Sequence, residues 1–435
     1  MNASTLEFGK TTLRIPPEVR ALLHALQLSR PDTTSLQKLS EREWTSLLDF
    51  CDIAHLTLPV AQLPMMGFPN WVVERLRTNL SDNALRFERV KATYREAAEA
   101  LGRAGVEHVV IKGFAQSPDY VPDPRLRRQS DIDIFCLPES LEDANGALRA
   151  IGYKPSNAKI SYAMADHDAT LVRSGDWRWR NNLFDPEMPL DIELHFCLWN
   201  ERVSRIRVPD AGLFWERRTT REVDGISFSC LSSVDHLAYL TLHILRNLFL
   251  GDWIVHHVRE LAFFLHSRAD DEAFWQTWSK TNSPSLRSLE AIIFYYAHAW
   301  FDCYLHPLAA HEIDTLPATH RSWLQCFAGS ALEAMFEQNK DFLWLHLSLL
   351  SSCKEKLKIL SRILIPAHVL SINSPYIRMH NKRLLPAAGR PLWRQYISYL
   401  ISRSAAHSRV NIATLTRGLR WRWFGYWGDR NRISS

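Results

Sequence analysis

The sequence predicts an α+β protein in which a small mixed β-sheet core is flanked by N-terminal helices and followed by a large all-helical region. Three observations support this fold class. Apolar residues recur with a helical period over 17–63 and 69–105. Short strand-like runs separated by turn residues occupy 106–230. The pattern is then helical again from Ser233 almost to the C-terminus.

These patterns divide the chain into four predicted regions. Its 435 residues are enough to bury more than one hydrophobic core. We expect an N-terminal helical region at 1–105, an α/β core at 106–230, a C-terminal helical domain at 231–377 and a basic helical tail at 378–435. The tail carries a net charge of +11 in a chain of +5, which leaves −6 for the body. Either an anionic partner or the acidic body itself would complement this tail.

Individual elements can be placed from local signals. Ser40 and Glu43 have capping-box spacing at the start of one helix, and a long helix is predicted over 69–105. Asp224 and Gly225 mark the turn of a β-hairpin. Core strands are predicted at 108–112, 131–137, 167–173 and 189–196. Further helices are predicted at about 270–306, 318–368 and 391–405.

The sequence shows neither a secretion signal nor a membrane-spanning run. Its N-terminus lacks an apolar segment, and no stretch reaches about 18 uninterrupted apolar residues. The seven cysteines are scattered without a CxxC pair, which indicates reduced thiols and no zinc site. P-loop, GxSxG, HExxH and GxGxxG motifs are absent, which argues against ATPases, hydrolases, zincins and Rossmann proteins. We therefore expect a cytoplasmic protein without a transmembrane segment.

Two carboxylates distinguish the predicted strand at 131–137. Asp131 and Asp133 are two residues apart, and a strand places such side chains on the same face. The residues between and after them are apolar, so both acids project from an otherwise buried strand. Paired acids in that setting are costly unless a cation lies between them, and Mg²⁺ is the usual cation where phosphate chemistry is involved.

A second acid-bearing strand at 189–196 supplies further ligands. Asp191, Glu193 and His195 share one of its faces. Together with the two aspartates of the first strand, they outline a phosphoryl- or nucleotidyl-transfer site that holds two Mg²⁺ ions. Glu193 or Asp191 would complete one ion site and accept the proton of an attacking hydroxyl. His195 is either a base or orienting group, or a structural residue.

Positive charge lies close to these acids in the sequence. Lys112 and Gly113 precede a predicted helix start, whose free backbone N–H groups would face phosphate oxygens. Arg125, Arg127 and Arg128 add compensating charge. The same residues allow a purely structural alternative, in which the two aspartates form ion pairs with Arg127 and Arg128.

Five segments follow one another in a characteristic order: IKG at 111–113, YVPDP at 120–124, Arg127, DIDIF at 131–135 and ELHF at 193–196. This order resembles the polymerase-β-like nucleotidyltransferase superfamily. More narrowly, it is similar to the bacterial family described as uncharacterised nucleotidyltransferases. A hairpin and a histidine-bearing helix follow as in that family, so the resemblance covers most of 40–265.

The resemblance implies roles for four acids. Asp131 and Asp133 match the metal-binding positions of the family motif. Glu193 matches the third acid, and Asp191 is its nearest substitute. The implied cofactor is Mg²⁺, with two ions bound.

The resemblance also assigns the phosphate side of the site. Gly113 matches the glycine that opens the phosphate-side helix, and Lys112 lies beside it. The superfamily's second Gly or Ser is Phe114 in this chain, and Ser130 is available to donate a hydrogen bond in its place. The expected nucleotide-binding residues are therefore Lys112, Gly113, Arg127 and Ser130.

The activity that the resemblance implies is transfer of an NMP from an NTP, with ATP as the expected donor, to a hydroxyl-type acceptor. The acceptor would be a protein, a peptide, a small molecule or an RNA end. The alternative is a catalytically inactive protein on the same fold, which acts as a binding or regulatory partner in the manner of an antitoxin.

Two further groups of residues have more than one interpretation. His236 and His243 lie on one predicted helix, and His256 and His257 lie on the next, so they form either a metal site or part of the core. The Trp- and Arg-rich segment at 417–427 either stacks on bases, binds a membrane surface or packs as a helix.

Overall fold

The structure is a computed structural model that describes residues 13–156, 165–173, 175–365 and 392–430, with side chains of the last segment over 404–423. The chain divides into two compact units. The larger unit comprises Glu18–Arg246 and His256–Asp314 and contains the whole predicted α/β core. The smaller unit comprises Met1–Pro17, Asn247–Val255 and Thr315–Ser435.

Helices account for most of the described chain, as the sequence predicts. The α-helices are α1 (Pro17–Ala25), α2 (Glu41–Ile53), α3 (Thr57–Ala61), α4 (Asn70–Arg103), α5 (Leu141–Ala150), α6 (Glu201–Ser204), α7 (Ser233–Leu250), α8 (Val255–Ser267), α9 (Glu272–Thr281), α10 (Pro284–Phe301), α11 (Pro307–Thr315), α12 (Ala318–Phe327), α13 (Ser330–Glu333), α14 (Phe342–Leu349), α15 (Cys353–Leu364) and α16 (Leu392–Arg430). Ser40 and Glu43 form the predicted capping box of α2.

Within the described residues, seven strands form one mixed sheet in the order β3-β4-β5-β2-β1-β7-β6. The strands are β1 (Val109–Val110), β2 (Asp131–Phe135), β3 (Tyr153–Pro155), β4 (Leu171–Arg173), β5 (Asp191–His195), β6 (Thr219–Val223) and β7 (Ile226–Cys230). The pairs β2–β5 and β1–β7 are parallel, and the other neighbours are antiparallel. The predicted α+β class, with a small mixed sheet and flanking helices, is confirmed.

The long helix α4 anchors the sheet through a shared hydrophobic cluster. Its buried stripe includes Phe87, Val90 and Tyr94, which recur at helical spacing. The inward positions of β2 and β5 belong to the same cluster, and all of them are fully buried: Ile132, Ile134, Ile192 and Leu194. Burial of each such side chain contributes about 1.5–3 kcal/mol, so this face of the sheet is firmly held against the helix.

Two local elements of the core differ from the predictions. The helix expected after Ile111 is a single 3₁₀ turn, Gly113–Gln116, because Pro118 lacks an N–H and disfavours the helical region for the residue before it. β3 was not predicted, since three residues are too few to show an alternating pattern. Its last residue is Pro155, and proline is confined largely to edge strands because it cannot donate a backbone hydrogen bond. β3 is an edge strand of this sheet.

The C-terminal helices also differ in extent. The helix predicted at 318–368 is divided into α12 to α15, and the one predicted at 391–405 continues to Arg430. Within the smaller unit Trp421 donates from Nε1 to Ser322 Oγ (3.0 Å), and Arg417 pairs with Asp341 (3.2 Å). This part of the Trp- and Arg-rich segment therefore packs as a helix. Residues 1–12, 366–391 and 431–435, which include part of the predicted tail, lie outside the described residues.

Within the part of the chain that the structure describes, no helix combines the length and the apolar character that crossing a membrane requires. The four-region division of the chain stays a prediction.

We expect Gly113→Ala to lower the free energy of unfolding by more than Gly105→Ala does. Both glycines have positive φ (65° and 70°), which costs any other residue about 1–2 kcal/mol. An added Cβ at Gly113 would lie 2.4 Å from Nε2 of the buried Gln129, whereas Gly105 has nothing within 4 Å. The clash adds about 1–3 kcal/mol. Urea denaturation of the two variants measures the difference, and equal losses would contradict it.

A second prediction concerns Glu290 in α10. Its carboxyl is fully buried and accepts hydrogen bonds from Trp278 Nε1 (2.9 Å) and Asn282 Nδ2 (3.0 Å). Burial is the main cause that raises the pKa of Glu290 to about 8 from its ordinary 4.5. The folded state therefore keeps a proton that the unfolded chain releases, and the stability it contributes is lost as pH rises from about 4.5 through about 8.

Glu290→Gln removes this titration. Relative to wild type, its free energy of unfolding should increase as pH rises from about 5 to about 8, by up to ~1.4 kcal/mol per pH unit. Urea denaturation across this pH range checks the slope. A difference between the two proteins that stays constant with pH would show that Glu290 is ionised in the fold.

Candidate active site

Four carboxylates lie side by side at one end of the sheet. β2 and β5 pair in parallel, and their register places Asp131 beside Asp191 and Asp133 beside Glu193. Neighbouring strands are about 4.8 Å apart, and residues at i and i+2 project from the same face. Two adjacent strands therefore deliver four acids to the face opposite the hydrophobic cluster.

Helix α4 holds the segments that lead into both strands. Asn83 Nδ2 donates to Arg127 O (3.2 Å), and Arg86 Nε donates to Gln129 O (2.8 Å). Arg86 is only 1% exposed, and its Nη1 also donates to Met188 O (2.8 Å). Because Gln129 and Met188 lie just before β2 and β5, one buried guanidinium fixes the ends of both acid-bearing strands.

Asp133 is the most strongly bound of the four acids. Its Oδ1 lies 2.5 Å from Lys112 Nζ and 2.9 Å from His195 Nε2. Burial alone would raise the pKa of Asp133, but the Lys112 ammonium and the hydrogen bond with His195 outweigh burial and hold this pKa well below its ordinary value. The same carboxylate raises the pKa of Lys112 against the effect of burial, so the two groups form an ionised pair.

The charges of Asp131 and Asp191 are less well compensated. Burial, and then the negative charge of Asp133, raise the pKa of Asp131 well above its ordinary value. Burial, and then the charge of Glu193, raise the pKa of Asp191. The cluster thus holds more carboxylates than its own cations neutralise, which is the condition under which a bound cation is favourable.

Glu193 faces a group of donors from neighbouring segments. Thr170 Oγ1 donates to Glu193 Oε1 (3.0 Å). The other carboxylate oxygen of Glu193, Oε2, lies 3.8 Å from His167 Nε2 and 3.9 Å from His195 Nε2. Asp133, Glu193 and His195 each bring one possible metal-ligating atom to within 4.8 Å of the other two. Among the described residues, no other His, Cys, Asp or Glu side chains form such a group of three.

A polar chain continues behind His195. Its Nδ1 lies 4.0 Å from Asp166 Oδ2, and Arg246 Nη2 lies 3.2 Å from Asp166 Oδ1. Burial would raise the pKa of Asp166, but the charges of His195 and Arg246 hold it below its ordinary value. A row of five groups results, in which positively charged or hydrogen-bonding side chains alternate with carboxylates: Lys112, Asp133, His195, Asp166 and Arg246. Its three central members are buried, and the two at its ends are half-buried.

The residues expected on the phosphate side are placed in different environments. Lys112 contacts Asp133, and Gly113 lies against the side chain of Gln129. Arg127 Nε donates to Glu260 Oε1 (2.8 Å), so its guanidinium is turned towards α8. Ser130 is half-buried, and its carbonyl accepts from Asp191 N (3.3 Å). The structure thus brings Lys112 to the acids, while Arg127 is paired elsewhere.

Phe114 belongs to the core. It is 1% exposed, and its ring lies 5.0 Å from that of Tyr94 and 4.9 Å from that of Phe228. Three aromatic rings in edge contact stabilise this position. The difference from the superfamily's Gly or Ser therefore adds a core residue and does not obstruct the face that carries the acids.

The structural alternative for Asp131 and Asp133 specified the wrong partners. Among the described residues, Arg127 pairs with Glu260, and Arg128 donates to Leu183 O (3.1 Å) and contacts His55 (3.0 Å). Lys112 and His195 are the groups that contact Asp133 instead.

Three of the four helical histidines are buried, and His256 is half-buried. His243 and His257 make an edge contact with ring centroids 5.0 Å apart, and His256 lies beside His257 (3.8 Å). Burial lowers the pKa of His236 to about 4 and the pKa of His243 well below its ordinary value. None of the four belongs to the group of three potential metal ligands found among the described residues, and both interpretations stay predictions.

Asp166 and Arg246 were not among the site residues predicted from the sequence, which also left the role of His195 open. A signal for Asp166 was present, since this acid directly precedes the strand-like run HDATLVR. Arg246 is the only Lys or Arg in α7, and a single cation in a mainly apolar helix indicates a specific partner. Their connection through His195 has no sequence signal, because the three residues come from separate segments.

Comparison with known proteins agrees with this geometry. The model of the family described as "Uncharacterised nucleotidyltransferase" matches residues 38–302, well over half of the chain. No curated protein and no solved structure matches significantly. The match includes both acid-bearing strands, Lys112 and α4, and we conclude that the chain belongs to the uncharacterised nucleotidyltransferase family.

Proposed function

We propose that the protein transfers an NMP from an NTP to a hydroxyl-type acceptor with the help of Mg²⁺. The observation that carries this proposal is the parallel register that places Asp131 and Asp133 beside Asp191 and Glu193. Family membership supports nucleotidyl transfer in general. ATP as donor, and a protein, peptide, small molecule or RNA end as acceptor, are the finer parts of the proposal.

The donor set fits a hard divalent cation. Asp131, Asp133 and Glu193 offer carboxylate oxygens, which Mg²⁺ prefers, and the raised pKa of Asp131 indicates unneutralised negative charge. Two ions would be held by these acids, with Asp191 as a further ligand. When bound, the ions would neutralise charge on the transferring phosphoryl group and the leaving pyrophosphate.

His195 has two possible relations to such a cation. An imidazole ligand suits Mn²⁺ or Zn²⁺ better than Mg²⁺. Its Nε2 already lies at hydrogen-bond distance from Asp133 Oδ1, and its other nitrogen faces Asp166. We therefore propose that His195 orients Asp133, as residues behind a metal ligand commonly do.

The chain's own groups would carry the remaining steps. The acceptor oxygen forms a bond to the α-phosphorus while the bond to pyrophosphate breaks, and pyrophosphate leaves. Glu193 or Asp191 takes the proton that the hydroxyl loses. Lys112 supplies positive charge beside the acids and keeps Asp133 ionised. The need for an NTP supports a cytoplasmic location.

The inactive-partner alternative has little support in the site. Phe114, the departure from the superfamily pattern, packs in the core, and all four acids are present. An anionic partner for the basic C-terminal segment stays a proposal that is independent of catalysis.

Turnover tests the proposal directly. With radiolabelled ATP and Mg²⁺, we expect Asp131→Ala combined with Asp133→Ala to lower product labelling by about a hundredfold or more, because preorganised charge at the reacting group is removed. Glu142→Ala combined with Asp143→Ala is the matched control, since it removes two exposed acids of α5. Equal labelling by the two double variants would contradict the assignment.

Divalent-ion binding tests the donor set without turnover. By calorimetry with Mg²⁺ and with Mn²⁺, Asp133→Asn and Glu193→Gln should bind at least about tenfold more weakly than wild type. His195→Gln should lose about tenfold in affinity for both ions alike if it only orients Asp133. A loss confined to Mn²⁺ would instead identify His195 as a ligand. Glu142→Gln is the control.

A further inference from the structure

A cavity in the larger unit, separate from the acid cluster, is lined by arginine side chains. It lies between three segments of the chain: α3 with the residues just before it, the loop at 120–128, and α8. The cavity has a volume of about 70 Å³, compared with about 10–15 Å³ for a single water, so a group the size of a phosphate fits. None of the four acids of β2 and β5 is among its lining residues, which makes it distinct from the acid cluster.

The charge of this cavity is positive. Arg127, Arg128 and Arg259 line it, and Glu260 is its one lining carboxylate. Glu260 is already engaged by Arg127. Burial is the main cause that lowers the pKa of the lining residue His55 to about 3, so this histidine adds no positive charge. Three guanidinium groups against one carboxylate leave the lining with a net charge of +2. The other carboxylates that act on Arg128, Asp131 and Asp52, lie outside the lining. Burial of this excess charge is costly.

Three lining residues also carry buried polar atoms without a hydrogen-bond partner in the described chain. These atoms are Arg259 Nε, His256 Nδ1 and Tyr120 Oη. Buried polar groups in folded proteins are nearly always paired with protein, water or an ion. Three such atoms around one cavity are consistent with a bound group that accepts hydrogen bonds from them. Burial lowers the pKa of Arg259 to about 10, a penalty that a bound anion would offset.

We propose that this cavity binds a phosphate group through Arg128 and Arg259, with His256 and Tyr120 as neutral donors. A phosphate accepts several hydrogen bonds at once, and guanidinium groups match its geometry. Only three residues lie between Arg127 in the cavity wall and Asp131 in the acid cluster. The phosphate therefore belongs either to the tail of the nucleotide donor or to a separate ligand, an acceptor or an effector. The site itself does not depend on turnover.

Binding of pyrophosphate in the presence of EDTA tests the proposal, because the acid cluster needs a divalent cation to hold phosphate. By calorimetry, wild type should bind pyrophosphate without metal. Asp131→Asn combined with Asp133→Asn should bind it no more weakly, because the Asp131 charge that acts on Arg128 is removed. Arg259→Met should lose about tenfold or more in affinity, since a hydrogen bond to a charged group is removed. Arg42→Met, on the exposed surface of α2, is the matched control.

Tyr120→Phe is the second variant, in case Arg259→Met does not fold. It keeps the ring, which stacks on Phe264 (4.6 Å), and deletes only the hydroxyl, so its affinity for pyrophosphate should fall several-fold. No binding of pyrophosphate to wild type in EDTA would overturn the proposal. So would affinities of Arg259→Met, or of a folded Tyr120→Phe variant, that equal those of wild type.

ATP distinguishes the two sources of the phosphate. If the cavity holds the donor's tail, ATP should compete with pyrophosphate in EDTA, and Arg259→Met should weaken ATP as much as pyrophosphate. If the ligand is separate, ATP with Mg²⁺ should bind Arg259→Met as tightly as wild type while pyrophosphate binding is lost. Both results support a phosphate site, and neither requires that the acid cluster turn over.

Discussion

The parallel pairing of β2 with β5 is the constraint on which the rest of the site depends. It concentrates four carboxylates within the width of two strands, and their mutual repulsion must be offset inside the fold. Lys112 and His195 offset it most fully at Asp133, which both of them contact. Asp131 and Asp191 keep raised pKa values, so the sheet is assembled with an excess of negative charge that favours a bound cation.

Such a charge concentration needs a rigid support, and α4 provides it. The helix packs its apolar stripe in the cluster that buries the reverse side of β2 and β5. The same helix contributes Arg86, whose guanidinium binds carbonyls ahead of both strands. Core packing and a buried polar clamp therefore act on the same strand ends. Functional groups placed on strands that are held in this way keep a defined geometry.

The larger unit also separates charge of opposite sign over a short length of chain. Asp131 begins the acid-bearing strand, and Arg127, four residues earlier, is turned to Glu260 at the edge of an arginine-lined cavity. Gln116 connects the two regions. It is the last residue of the turn that begins at Gly113, and its Nε2 donates to Glu260 Oε2 (3.1 Å). One region suits a cation and the other an anion, a division that a protein handling nucleotides with metal would use.

Local patterns in the sequence determined the elements and the face on which each acid lies. The alternation in DIDIF and in DIELH, the capping box at Ser40 and the Asp-Gly hairpin depend on neighbours in the chain, and the structure contains each of them. Tertiary structure decided the partners: Lys112 with Asp133, Arg127 with Glu260, and Asp166 with Arg246. The physical reason is that strand and helix periods describe which face a side chain occupies. Which charge it meets there depends on how distant segments pack, and that is not written in any local spacing.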